Sequence, residues 1–179
     1  MKRVLVFALA ATALLSGVAR AASVGLGFFA GASVPILQDD QDNGSLWGFR
    51  APVKLVPLFT VEPFFSSSGL GDKTIDIAPG ISTTREGSDV TTFGANAMLT
   101  LGGPFSFYPY VGIGSAKFKR TGQDESFTSY HMGLGLGISP MPKLGVHLRG
   151  ELQAAADGDV ARKMVNITLG ASYSIFSLP

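Results

Sequence analysis

The chain of 179 residues contains no cysteine, so disulfide scaffolds, thiolate zinc sites and thiol nucleophiles are excluded. Charge is also scarce. Asp, Glu, Lys and Arg make up 15% of residues, where a soluble globular chain carries about 25%. No apolar run reaches the roughly 18 residues that a membrane-crossing helix needs. Glycine is abundant instead: its 23 residues are about twice the usual share. Hydrophobic residues make up 46%.

The longest apolar run, Val4 to Leu15, follows Lys2 and Arg3 and precedes Ala19-Arg20-Ala21. A basic start, a short apolar centre and a small-residue Ala-x-Ala site describe a secretory signal. About 12 apolar residues make only ~18 Å of helix, short of the ~30 Å hydrocarbon core. The sequence therefore predicts a cleaved Sec-type signal peptide over residues 1–21 and one domain over 22–179. With no cysteine after the cut, lipoprotein processing is excluded. Cleavage removes three of the 14 basic residues and leaves eleven against 13 acids, a net charge of −2. The apparent basicity belongs to the export signal and does not imply nucleic-acid binding.

Beyond residue 21 the apolar residues recur at period two, the signature of strands. Val24, Leu26, Phe28, Ala30, Ala32 and Val34 share one face. Trp47, Phe49, Ala51, Val53 and Leu55 form a second series, and Phe59, Val61 and Phe65 a third. Phe93, Ala95, Ala97, Leu99 and Leu101 form the fourth. Val111 and Ile113 open a fifth, whose parity becomes ambiguous over Ser115 to Phe118, where a bulge is the expected cause. Tyr130 to Ile138, Leu144 to Leu152 and Val165 to Ile175 complete eight strands. Pro52 and Pro63 interrupt two of them, which predicts bulges or early strand ends.

Short connections carry Pro57, Pro104, Pro140 and Pro142 and no acid. Long ones, near residues 35–46, 66–89, 119–126 and 155–162, carry eleven of the 13 acids. This is an up-and-down meander with two unlike ends. The non-apolar face is mostly glycine, serine and threonine, a poor soluble exterior. A closed membrane barrel accounts for both faces, apolar outward to lipid and small or polar inward. The expected fold is all-β: an eight-stranded antiparallel up-and-down transmembrane β-barrel.

Runs such as Tyr108-Pro109-Tyr110-Val111-Gly112-Ile113-Gly114 and His131-Met132-Gly133-Leu134-Gly135-Leu136-Gly137, with the eight alternating strands, resemble the small outer-membrane β-barrels of OmpA-like and OmpX-like type. The resemblance spans the chain after residue 21. It implies residence in the outer membrane of a Gram-negative-type bacterium, among lipid and lipopolysaccharide. It also implies handling by periplasmic chaperones and the barrel-assembly machinery. Such proteins end in an alternating strand with a terminal aromatic; here Phe176 is out of phase with Tyr173 and Ile175.

Six residues are expected to face the lumen as a polar network: Arg50, Lys54, Glu62, His147, Arg149 and Glu151. Eight strands leave an interior just wide enough for side chains to fill. Buried charges must pair, so Glu62 and Glu151 are expected to pair with some of Arg50, Lys54 and Arg149. Inward glycines are expected to make room for bulky neighbours such as Phe29, Phe64 or Arg149.

The nucleotide-like Gly25-Leu26-Gly27-Phe28-Phe29-Ala30 lies within a strand with no helix after it, so it is not read as a phosphate loop. His131 and His147 are inward on adjacent strands. Outer-membrane deacylases resemble one another in a His-x-Ser pair, which neither histidine has here, so no catalytic residue is assigned. The acids Asp39, Asp40 and Asp42 lack calcium-loop spacing and read as a solvated loop. Asn166-Ile167-Thr168 is an incidental sequon. Trp47, Phe59, Phe65, Phe107, Tyr108, Tyr110 and Tyr173 fit interfacial girdles, with loop or core packing an equal alternative for Trp47 and Tyr110. The expected role is structural or interactive, without catalysis or cofactor, as a monomer whose loops meet a surface partner. A narrow pore or small-molecule binder is the alternative. No peptidoglycan-binding module is expected after the eighth strand.

Overall fold

The computed structural model describes residues 23–36, 41–79, 81–121, 123–157 and 160–177. The signal peptide expected over 1–21 and the acids Asp39 and Asp40 lie outside them. The strands are β1 (Ser23–Ile36), β2 (Asp42–Arg50), β3 (Val53–Val56), β4 (Phe59–Gly71), β5 (Lys73–Ala78) and β6 (Ile81–Arg85). They continue with β7 (Asp89–Leu99), β8 (Leu101–Gly102), β9 (Phe105–Arg120), β10 (Gln123–Met141), β11 (Leu144–Asp157) and β12 (Val160–Ser177).

Eight staves form the ring. β2 and β3 together make the second stave, and β4, β7, β9, β10, β11 and β12 follow in chain order, all antiparallel. β12 closes on β1 from Ser23↔Ser177 to Ile36↔Lys163. Closure leaves no open edge, which hydrocarbon requires.

The short turns lie together at one end, at Pro57-Leu58, Gly103-Pro104 and Pro142-Lys143. Gly102 has φ of 101°, a left-handed conformation that favours glycine, and a Cβ there would run into the Phe105 carbonyl. The other end differs from the expected long loops. β9 and β10 stay paired out to Arg120↔Gln123, and β11 and β12 to Asp157↔Val160. The segment expected as a loop over 66–89 contains the rest of β4 and the separate hairpin β5–β6. Polar residues remain in strands there because the neighbouring stave supplies their hydrogen bonds.

The expected bulge over Ser115 to Phe118 does not occur: β9 pairs without a register shift on both sides. Polarity inverts while the period continues. Ala116 and Phe118 point inward and are buried, while Ser115 and Lys117 face outward. The prolines act differently from one another. Pro52 sits in the gap between β2 and β3, whereas Pro63 stays within β4. Ala51 N donates to Pro63 O at 2.9 Å, and proline has no N–H to return the bond.

Leu26, Phe28, Phe49, Phe93, Val111, Ile113, Leu134, Leu136, Leu148, Ile167 and Leu169 are all exposed on the outer wall. Such a continuous apolar band would aggregate in water and matches the lipid-facing belt of a membrane barrel. Trp47 packs edge-on against Phe49 and Phe65 on this outer surface, at 5.8 and 6.1 Å. Tyr108 and Tyr110 are instead buried inside, so they do not belong to an interfacial girdle. Phe176 regains the outward direction through a register shift between Val24 and Gly25. Gly25 pairs with Ser174 and Val24 with Phe176, which leaves Ile175 as the extra residue.

Leu134→Arg, in the centre of the exposed apolar run of β10, is expected to cost about 2–4 kcal/mol in urea unfolding from vesicles. Thr128→Arg, outward on the same strand beyond that run, is expected to cost at most ~1 kcal/mol. Equal costs at the two positions would mean that the membrane band is misplaced.

Candidate functional site

The inner wall is layered along the barrel axis. At the long-strand end the inward residues are apolar: Leu70, Val90, Ala116, Phe118, Phe127, Ala155 and Met164 form a buried cluster. The Phe118 and Phe127 rings meet edge-on at 5.3 Å. The Arg162 guanidinium covers both rings, at 4.8 and 5.6 Å, and Nη2 donates to Glu125 Oε2 at 3.0 Å.

Below this plug lies a hydrogen-bonded layer. Gln153 Nε2 donates to Thr92 Oγ1 and Ser129 Oγ, both at 3.1 Å. Ser129 Oγ is 2.9 Å from His131 Nε2, and His131 Nδ1 is 3.2 Å from Glu151 Oε1. Asn166 Nδ2 also donates to Glu151 Oε1, at 3.1 Å, and Tyr110 Oη donates to Glu151 Oε2 at 3.1 Å. A carboxylate is an acceptor only, so these partners select the tautomer in which His131 donates from Nδ1 and accepts Ser129 at Nε2.

The next layer holds the central ion pair. Arg149 meets Glu62 as a two-pronged fork, Nη1 to Oε1 at 2.5 Å and Nη2 to Oε2 at 2.8 Å. Glu62 is 1% exposed and Arg149 7%. Arg149 Nε donates to Tyr108 Oη at 3.1 Å, and the guanidinium lies over the Tyr108 and Tyr110 rings at 5.0 and 5.3 Å. With its lone pair engaged, Tyr108 Oη donates to His147 Nδ1 at 3.0 Å. His147 Nε2 then donates to Ser172 Oγ at 2.8 Å. Arg50 lies over the Phe29 ring at 5.3 Å, and its Nε is buried without a hydrogen-bond partner. Lys54 lines a cavity at the short-turn end.

A layered lumen, eight closed staves and a lipid-facing band are the features of one architecture. Residues 4–174 match the family described as the outer membrane protein beta-barrel domain. The chain belongs to this family. It is accordingly an outer-membrane protein of a Gram-negative-type cell. No curated protein matches the chain. Solved structures share the fold. Neisserial surface protein A aligns with a TM-score of 0.60 and 12% identity, over 85% of this chain and 96% of that one. A major outer membrane protein from Thermus thermophilus gives 0.57 and 13%, over 86% and 99%. Ail, the attachment invasion locus protein of Yersinia pestis, gives 0.50 and 20%, over 87% and 99%.

Within this outer-membrane barrel, the structure joins Glu62 to Arg149 but, among the described residues, does not join Glu151 to any Arg or Lys. Glu151 is held by His131, Tyr110 and Asn166. The reason is register: Glu151 lies opposite Gly133 and Asn166. Among the described residues, no carboxylate lies within ion-pair distance of Arg50 or Lys54. Sequence reasoning missed Ser129, Gln153, Asn166 and the two tyrosines. The Ser129-x-His131 spacing was an available signal, since residues two apart share a strand face. The inward glycines make room for other partners than those expected. Gly133 accommodates Tyr110, Gly135 accommodates Tyr108 and Gly170 accommodates Arg50, while Gly48 does admit Phe29.

Ser129, His131 and Glu151 stand in nucleophile–base–acid order. Ser129 is nevertheless 0% exposed, and Gln153 donates to its Oγ. The adjoining cavity, about 30 Å³, reaches Glu151 but is lined by neither Ser129 nor His131. In this arrangement the three residues tie β10 to β11 and leave a substrate carbonyl no approach to the hydroxyl.

Proposed function

We propose that this barrel is a non-catalytic, non-conducting outer-membrane protein, monomeric, whose role is structural or lies in contact at the cell surface. The observation that carries the reading is the apolar plug of Phe118, Phe127, Leu70, Val90 and Met164 set above a hydrogen-bonded layer and an ion pair. Water and ions crossing the lumen would have to open all three. Short turns face the periplasm in such barrels, which assigns the long-strand end to the cell exterior. Export follows from the signal expected over 1–21, with chaperones and the assembly machinery delivering the chain to a membrane of lipid and lipopolysaccharide.

The exterior end carries the contact surface. The hairpin β5–β6 forms a sheet of its own, with Ile77 and Ile81 exposed near its tip. A structure of the similarly folded Ail is described in complex with the heparin analogue sucrose octasulfate, and loops on a rigid scaffold are where such contacts reside.

Planar-bilayer recording tests the closed lumen. The expected result is an unbroken baseline after insertion, with folding verified by a mobility shift between unboiled and boiled samples. Discrete current steps from the folded protein would instead favour the narrow pore.

A further inference from the structure

We propose that the short-turn end of the lumen is a binding site for a small free oxyanion entering from the periplasm. A cavity of about 160 Å³ opens there, room for several waters or one phosphate-sized solute. Thr60, Thr100, Ser106, Ser172 and Ser174 supply hydroxyls around it, and Lys54 is its cation at the mouth. Lys54 is placed by the short strand β3, opposite Ser23 on one side and Thr60 on the other.

The floor of the cavity is the Glu62–Arg149 pair, whose charges satisfy one another. Lys54 is then the surplus charge of the vestibule. Arg50, which lines the smaller adjoining cavity, adds a second cation with no carboxylate within ion-pair distance among the described residues. Lys54, Arg149 and Arg50 outnumber Glu62 and Glu151 by one across this cavity and the smaller one adjoining it, and that excess positive charge between low-dielectric walls concentrates anions. The hydroxyls of Thr60, Thr100, Ser172 and Ser174 fit an oxyanion better than a halide, because each has one donor to give to a separate oxygen, while Ser106 Oγ donates to the Gly137 carbonyl. The plug makes the vestibule a dead end, so the site retains a ligand and does not pass it on. Only that last property rests on the closed lumen proposed above.

Calorimetric titration of the folded barrel, in zwitterionic detergent, with inorganic phosphate and with succinate is the test. One saturable site is expected. Lys54→Gln should weaken it roughly tenfold or more, the scale of a lost charged hydrogen bond. Lys143→Gln, on an exposed turn at the same end but outside the cavity, should leave it unchanged. A flat wild-type titration, or equal weakening in both variants, would overturn the proposal. So would binding of short-chain phosphatidate with none of inorganic phosphate, which would assign the site to a lipid headgroup. Bilayer conductance is a separate readout, so failure here and failure of the closed lumen are distinguishable.

Discussion

Glu62→Gln should destabilise the barrel by about 3–5 kcal/mol, the cost of leaving a buried charge without its partner. The substitution keeps the shape of the side chain and removes only its charge. Arg149 then remains buried between Tyr108, Tyr110 and Met98 with no carboxylate. Urea unfolding in vesicles measures the loss, and Trp47, the single tryptophan, reports it from the outer wall. Replacing both partners, Glu62→Met with Arg149→Met, should recover most of the loss, because paired apolar replacements of buried ion pairs are often neutral or stabilising. Arg50→Met should cost much less than Glu62→Gln, since no described carboxylate pairs with Arg50. If Glu62→Gln unfolds at the wild-type urea concentration, the pair contributes nothing to the fold and water must reach Arg149.

The phase of the apolar residues made the staves legible, because lipid tolerates only apolar side chains on the outer face of each strand. That constraint ends at the membrane boundary, and legibility ends with it. In β9 the period continues through Ser115, Ala116, Lys117 and Phe118, but water now bathes the outside and the plug fills the inside. The same alternation therefore carries opposite polarity and reads as an interruption. Acidic composition similarly suggested loops where β9, β10, β11 and β12 stay paired, since a charged residue on an outward strand face in water is as well solvated as one in a loop. For the lumen, the inward face of Arg50, Glu62, Arg149 and Glu151 follows from parity alone. Their partners do not. Pairing depends on which residues across the barrel reach the same height, and that is set by strand stagger. Hence Glu151 finds a histidine, a tyrosine and an asparagine. The displacement of Phe176 was visible as a phase error, while the bulge at Ile175 that corrects it is a property of pairing with β1.

Gly135→Ala is expected to be nearly as damaging as loss of the ion pair, although it adds one carbon. Gly135 of β10 lies opposite Tyr108 of β9, and a Cβ there would overlap Cε2 and Cζ of the ring. Aromatic rings laid over a cross-strand glycine are a known device of β-sheets, and here the ring cannot slide freely. Its hydroxyl accepts from Arg149 Nε and donates to His147. Overpacking costs about 1–3 kcal/mol, and displacing two hydrogen bonds adds about 1 kcal/mol each, so a loss of about 3–5 kcal/mol follows. Gly150→Ala is the matched comparison, on the outward face of β11, where a Cβ meets nothing within 4 Å. It should change stability by no more than ~0.5 kcal/mol. Combining Gly135→Ala with Tyr108→Leu should cost less than the sum of the two single changes, because the second relieves the crowding introduced by the first. Strict additivity would mean that the ring and the glycine do not touch. The glycines of the His131–Gly137 run would then need another explanation than the tyrosines they accommodate.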